Sequence, residues 1–256
     1  YKNALASGTA KINAQAVYPY DVIKSVNHGD ADVAVAQWAA LPNYLGDEKI
    51  LPMVDVSGSM TCKVGGNANL SCMDVAVSLG LYIADKQQGA FKDMWLTFSE
   101  NSHIEVLRGD LLAKIHTMKY NHVGYSTNIE GAFRSILTTA KNASVPASEM
   151  PKYLLILSDM EFNPRSFGAN VKAIDMVRQQ YEEAGYALPK IVWWNLNARA
   201  GNVPVRFDEQ GTALVSGFSP AILKNILAAK NFTPVDIMMD TLNSERYAPV
   251  SEAMAE

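Results

Sequence analysis

The chain has 256 residues, 48% of them apolar, and a formal net charge of −4. That supplies a sizeable core for one α/β domain, or for one domain plus an extension. No apolar run reaches membrane-span length, the 22 Lys and Arg form no phosphate-binding cluster, and two cysteines cannot supply a four-ligand zinc site.

The first residue is Tyr1, and the chain reads as a fragment or processed product whose targeting information could have been removed. No basic-then-apolar signal segment opens it, so a cytoplasmic location is expected, with no membrane partner. Within residues 1–49, Val22, Ile23 and Val26 predict a short helix near Pro19, and Asp30 caps a second running towards Leu41, where Pro42 follows. This reads as a helical extension, the trailing end of a helical module.

From Ile50 onward short apolar runs alternate with amphipathic segments, the rhythm of βα units around a mostly parallel sheet. Strands are expected at 50–54, 93–98, 103–107, 152–158, 190–196 and 212–216. The turn-rich link Ser99-Glu100-Asn101-Ser102 suits an antiparallel hairpin at one sheet edge. Ser71 and Asp74 form a capping box ahead of a helix from Val75 to Ala84, apolar on nearly all sides and therefore buried. Residues 169–184 place Val171, Ile174, Val177, Tyr181 and Ala184 on one helix face, and Gly185 supplies the stop. Ser219-Pro220 and Thr233-Pro234 each open a further helix, and the tail after Tyr247 is polar, acidic and frayed. The expected division is 1–49, 50–232 and 233–256.

The chemistry centres on Asp55-Val56-Ser57-Gly58-Ser59, where the first apolar run stops. One carboxylate and two hydroxyls recur at every second residue, so in extended backbone three oxygens face one side. Such oxygens suit a hard divalent cation, although Asp, Ser and Gly also make ordinary turns. Two further segments bring oxygen to the same edge, since ligands in open α/β sheets bind beyond the carboxyl ends of the strands. The apolar run Tyr153 to Leu157 ends in Ser158-Asp159, and the loop Gly124-Tyr125-Ser126-Thr127-Asn128 opens a helix from Ile129 to Ala140. Thr127 and Glu130 also satisfy a capping-box pattern.

These elements together resemble the von Willebrand factor A domain and its metal-ion-dependent adhesion site. The resemblance implies Asp55, Ser57, Ser59, Thr127 and Asp159 as the ligand set and Mg2+ or Mn2+ as the ion. It also implies a doubly wound, mostly parallel six-stranded sheet with one antiparallel edge strand and helices on both faces. Over nearly the whole chain, Ser158 to Phe162, Tyr186 to Leu196 and Ala213 to Ser219 resemble a family of plants, fungi, bacteriophages and large viruses. Its members join a helical part to a von Willebrand A-like domain and are distantly similar to the Ro RNA-binding proteins.

The expected function is non-enzymatic: cation-dependent binding of a protein partner that offers an Asp or Glu carboxylate. Neutral hydroxyl ligands would leave an ion electrophilic towards such a group. Glu161 is a candidate regulator of that open position, or a solvated residue; Ser126, Asn128 and Asn195 are rim candidates. A Ro-like ribonucleoprotein component is the alternative, with weak RNA binding expected here because no basic patch occurs. A metal-assisted hydrolase would need a base beside a metal-bound water, and Glu161 is its candidate. A dehalogenase-type phosphotransferase would need an acid where Ser57 stands, and His28, His103, His116 and His122 have no triad context. Cys62 and Cys72 read as reduced thiols, although a bridge between them would close a small loop.

Overall fold

The computed structural model describes residues 17–27, 29, 31–64, 69–120, 128–159, 176–197, 212–216 and 239. Its strands are β1 (Ile50–Val54), β2 (Met94–Thr97), β3 (Ile104–Val106), β4 (Tyr153–Ser158), β5 (Lys190–Asn195) and β6 (Thr212–Ser216). They form one sheet in the order β3-β2-β1-β4-β5-β6. All pairings are parallel except β2 with β3, which run antiparallel through the hairpin expected at 99–102.

The central strands are apolar at successive positions because both faces are covered. Ile50 and Val54 of β1, Leu155 and Leu157 of β4, and Val192 and Trp194 of β5 join one core. Their alternates Leu51, Met53, Leu154, Ile156, Ile191 and Trp193 join the other. Trp193 and Trp194 are therefore both interior, one on each face.

Pro52 lies in β1 between two neighbours, where a missing N–H usually breaks a ladder. Asp55 donates its N–H to the Leu157 carbonyl, so residues of that parity face β4 and Pro52 faces β2. Pairing with β2 begins only at Met53, so no ladder donor is lost.

On the first face lies α3 (Cys72–Lys86), whose capping box is formed as the sequence predicts. Ser71 Oγ accepts from the Asp74 N–H at 3.1 Å, and Asp74 Oδ2 accepts from the Ser71 N–H at 3.1 Å. Beyond it pack α1 (Pro19–Asn27) and α2 (Ala31–Ala40), which place Val22, Ile23, Ala34 and Trp38 in the same core as α3. The Trp38 indole donates to Asp85 at 3.0 Å, and the Tyr82 hydroxyl donates to the Pro42 carbonyl at 2.5 Å. Asp30, the expected cap of α2, lies outside the described residues.

A helix that the strand-and-helix reading passed over, α4 (Leu111–Lys119), follows β3. Its signals are Asp110, which caps Ala113 N–H at 2.9 Å, and the i, i+4, i+7 row Leu111, Ile115, Met118. Lys114 on this helix bridges Asp85 at 3.1 Å and Asp93 at 2.6 Å, tying the end of α3 to the entry of β2.

The opposite face is covered by α5 (Ile129–Asn142) and by helical residues 176–183. From α5, Ile129, Ala132, Phe133, Ile136 and Ala140 enter the core, and Val177 and Tyr181 join them. Gly185 follows with φ +75°, the left-handed stop that glycine accommodates. The helices expected after Ser219 and Thr233 lie outside the described residues.

Candidate functional site

The sheet order places β1 beside β4 where successive crossovers diverge to opposite sides. Ligand crevices form at such switch points in open α/β sheets, outside the carboxyl ends of the strands. Both strands end there in acid. Register pairs Val54 with Leu157, so Asp55 and Ser158 come level one residue later and Asp159 lies beyond them.

Asp55 is only 2% exposed, and so is Asp159. Asp55 Oδ1 accepts the Ser57 N–H at 2.9 Å, turning the chain sharply after β1, and Asp55 Oδ2 accepts the Ser158 hydroxyl at 2.7 Å. Ser57 precedes the 3-10 turn Gly58–Thr61, a position where serine hydroxyls commonly cap, yet it makes no cap bond. Its Oγ lies 3.0 Å from Ser59 Oγ. The floor is Met60, fully buried, whose sulfur accepts the Asp159 N–H at 3.2 Å.

Burial pushes the Asp55 carboxyl above its ordinary value. The Ser57 hydroxyl and amide and the Ser158 hydroxyl pull it down, and the negative charge of Asp159 pushes it up again. Among the described residues no Lys or Arg pairs with Asp55. Two acids of one charge thus end adjacent strands in a buried setting, and a cation is the partner that would favour their ionised forms. Among the described residues there is no cluster of three or more His, Cys, Asp or Glu. Two carboxylates with neutral hydroxyls fit a hard cation in donor type.

The sequence pattern described as "Domain of unknown function (DUF7788)" matches residues 49–254. The chain belongs to this family. This DUF7788 chain is also 30% identical over 258 residues to "Uncharacterized protein L728" of Acanthamoeba polyphaga mimivirus, covering 98% of itself and 44% of that protein. Its fold resembles the crystal structure of the Deinococcus radiodurans RO (RSR) protein, with a TM-score of 0.54 at 18% identity. That match covers 83% of the chain and 44% of the Ro protein, and shows a shared von Willebrand A-like α/β fold. The chain therefore spans under half the length of each of these two relatives.

Of the residues singled out from sequence, the DUF7788 structure gathers Asp55, Ser57, Ser59 and Asp159 at one sheet edge. Thr127, Ser126 and Glu161 lie outside the described residues, as do Met160 and Phe162. The cap of α5 is Asn128 rather than Thr127: its Oδ1 accepts the Gly131 N–H at 2.7 Å. Glu130 pairs with Arg134 one turn on, at 2.7 Å, and its expected capping box with Thr127 falls outside the described residues. Asn128 also donates to the Ser99 and Glu100 carbonyls at 3.3 and 3.0 Å, so it ties α5 to the hairpin. Asn195 ends β5 level with Ser158, and its Oδ1 accepts the Asn197 N–H at 2.9 Å. His103 lies within hydrogen-bonding distance of Asn101 O and Glu105, a local use that needs no triad.

Two residues of the site were passed over in the sequence. Ser158 reads there as the last residue of an apolar strand, and Met60 carries no sequence expectation. Their signal lies in register: only when β1 and β4 are paired does Ser158 face Asp55.

Proposed function

We propose that this chain is a non-enzymatic binding module whose Asp55, Ser57, Ser59, Thr127 and Asp159 hold a Mg2+ or Mn2+ ion. The bound ion would supply a Lewis-acidic position for the Asp or Glu carboxylate of a protein partner. The observation that carries this reading is the pair of 2%-exposed acids, Asp55 and Asp159, at the ends of adjacent strands beside two hydroxyls 3.0 Å apart. A purely structural turn would not need a second buried acid across the strand pair, because burying like charges together is costly.

The chain's own residues divide the work. Ser158 and the Ser57 amide orient the Asp55 carboxylate; Met60 closes the floor; the 3-10 turn presents Ser59. No residue here is assigned a proton-transfer role, and Glu161 is reserved as a regulator of the open position rather than a base. The proposed setting is the cytoplasm; among the described residues no helix is long and apolar enough to cross a membrane.

Titration calorimetry with Mg2+ and Mn2+ tests the reading. The wild type is expected to bind one ion, and Asp55→Asn to lose at least tenfold in affinity while keeping its circular-dichroism spectrum. Asparagine can keep its oxygen on the Ser57 N–H and donate to Ser158 Oγ, so folding is preserved. Equal binding by the two proteins, or none by the wild type, would overturn the site.

The second reading, a Ro-like ribonucleoprotein component, draws on the likeness of fold to the Ro protein. With a net charge of −4 and no basic cluster, the chain is expected to bind RNA weakly. A tight gel shift at physiological salt would favour this second reading over the first.

A further inference from the structure

The only two cysteines of the chain, ten residues apart, stand with their sulfurs 3.1 Å from each other. Neither is engaged in a disulfide. We propose that Cys62 and Cys72 form a reversible dithiol–disulfide site, closed by thiol–disulfide exchange with a low-molecular-weight disulfide.

The backbone already holds the pair in register. Lys63 and Ser71 form an antiparallel bridge, and the Cys72 N–H donates to the Cys62 carbonyl at 2.9 Å. Directly opposed residues of an antiparallel pair have Cα atoms roughly 4.5–5.5 Å apart. Disulfides span about 4.4–6.8 Å between Cα atoms, so closure asks for side-chain rotation rather than backbone movement.

The surroundings make the two sulfurs unequal. Cys62 is half-buried and its sulfur accepts from Asn197 Nδ2 at 3.4 Å. Cys72 is fully buried, and its thiol donates to the Leu196 carbonyl at 3.6 Å. Cys62 is therefore the sulfur that meets the oxidant, and Cys72 the one that resolves. The Cys62 thiolate attacks one sulfur of the small disulfide, forming a mixed disulfide and releasing one thiol. Cys72, giving up its proton, then attacks the Cys62 sulfur and expels the second thiol. Two protein thiols are oxidised to one disulfide while the small disulfide is reduced to two thiols.

The location gives closure a consequence. The Cys62 N–H donates to the Ser59 carbonyl at 3.0 Å, closing the 3-10 turn that carries Ser59, and Cys72 begins α3. A bridge would fasten that turn to the helix. The exchange reaction is independent of the cation reading; its effect on cation binding rests on that reading.

The test uses the full chain in a chelator, so its failure is distinguishable from failure of the cation site. The protein is equilibrated with graded mixtures of oxidised and reduced glutathione, quenched with iodoacetamide and weighed intact. Under reducing conditions two alkyl groups are expected; under oxidising conditions none, with the mass lower by two hydrogens. Cys72→Ser should stop at one glutathione adduct, and Cys62→Ser should take none. Amide exchange at Met60 to Val64 should slow at least severalfold on oxidation and recover on reduction. Two alkylatable thiols that persist in oxidised glutathione, or a wild type that stops at the mixed disulfide, would overturn the site. Unchanged exchange in a bridged protein would overturn its coupling to the turn.

Discussion

The Asp55 carboxyl accepts the Ser57 amide on one oxygen and the Ser158 hydroxyl on the other, and it is repelled by Asp159. Removing a donor from a buried acid costs more than an ordinary hydrogen bond, because the acceptor is left in a medium that cannot replace it. Ser158→Ala is expected to destabilise the protein by about 1–3 kcal/mol. Guanidinium unfolding at neutral pH measures this, and an unchanged midpoint would show that the Ser158 contact carries no stability. Alanine is the right probe, since it adds no bulk at a fully buried strand position.

Two features of α3 decide how the element presents its neighbours. Gly80 lies against β1 so closely that an added Cβ would meet Val54 Cγ2 at 2.4 Å and Met118 Sδ at 3.3 Å. The methionine can yield, but Val54 is β-branched and stiff, and it sits in a central strand. Gly80→Ala gains about 1 kcal/mol of helix propensity. Overpacking, typically about 1–3 kcal/mol, is expected to outweigh that gain and leave the variant less stable. Adding Val54→Ala should restore part of the loss, and a double-mutant cycle in urea with zero coupling would contradict the close approach.

The other feature is the cap. Burial would raise the Asp74 carboxyl, but the Ser71 hydroxyl and amide and the Lys119 ammonium outweigh it and hold it below the ordinary value of 3.8. With the folded value depressed, the contribution is present above the unfolded value and lost as pH falls through the folded one. Acid titration of stability should therefore show a loss below about pH 4 that is smaller in Asp74→Asn. Ser71→Ala, which breaks the same box, is expected to cost about 0.5–2 kcal/mol at neutral pH. Coincident acid profiles for wild type and Asp74→Asn would contradict the assigned shift.

At the scale of the molecule, residues 17–45 share the core of the sheet's first face. Trp38, Leu41 and Leu45 are buried with α3, and Tyr82 accepts the Tyr44 N–H at 2.8 Å while donating to Pro42. A chain beginning at residue 46 would expose this face of α3 and leave the Tyr82 hydroxyl and the Asp85 carboxylate without their partners on 38–44. Such a truncation is expected to lose cooperative unfolding or to bind a hydrophobic dye. A sharp transition with an undiminished midpoint would show instead that the sheet and its own helices suffice.

Local chemistry made much of this legible in the chain. Short apolar runs between turn residues located each strand to within a residue or two, because strands buried on both faces must be apolar throughout. The Ser71–Asp74 box and the Gly185 stop could be read because a cap is satisfied within four residues. The Asp55–Ser59 spacing announced a cluster of oxygens for the same local reason. Other features depended on partners distant in sequence. Whether Thr127 or Asn128 caps α5 was settled by the hairpin carbonyls that hold Asn128, and α4 was passed over because its short apolar row gains meaning only against α3. Strand register alone set Ser158 against Asp55, and chain reversal alone brought Cys62 to Cys72. Sequence determined which residues carry oxygen and sulfur and which segments must be buried, since those follow from composition and short-range spacing. Tertiary structure decided which of them meet, because register and crossover direction are properties of the closed sheet.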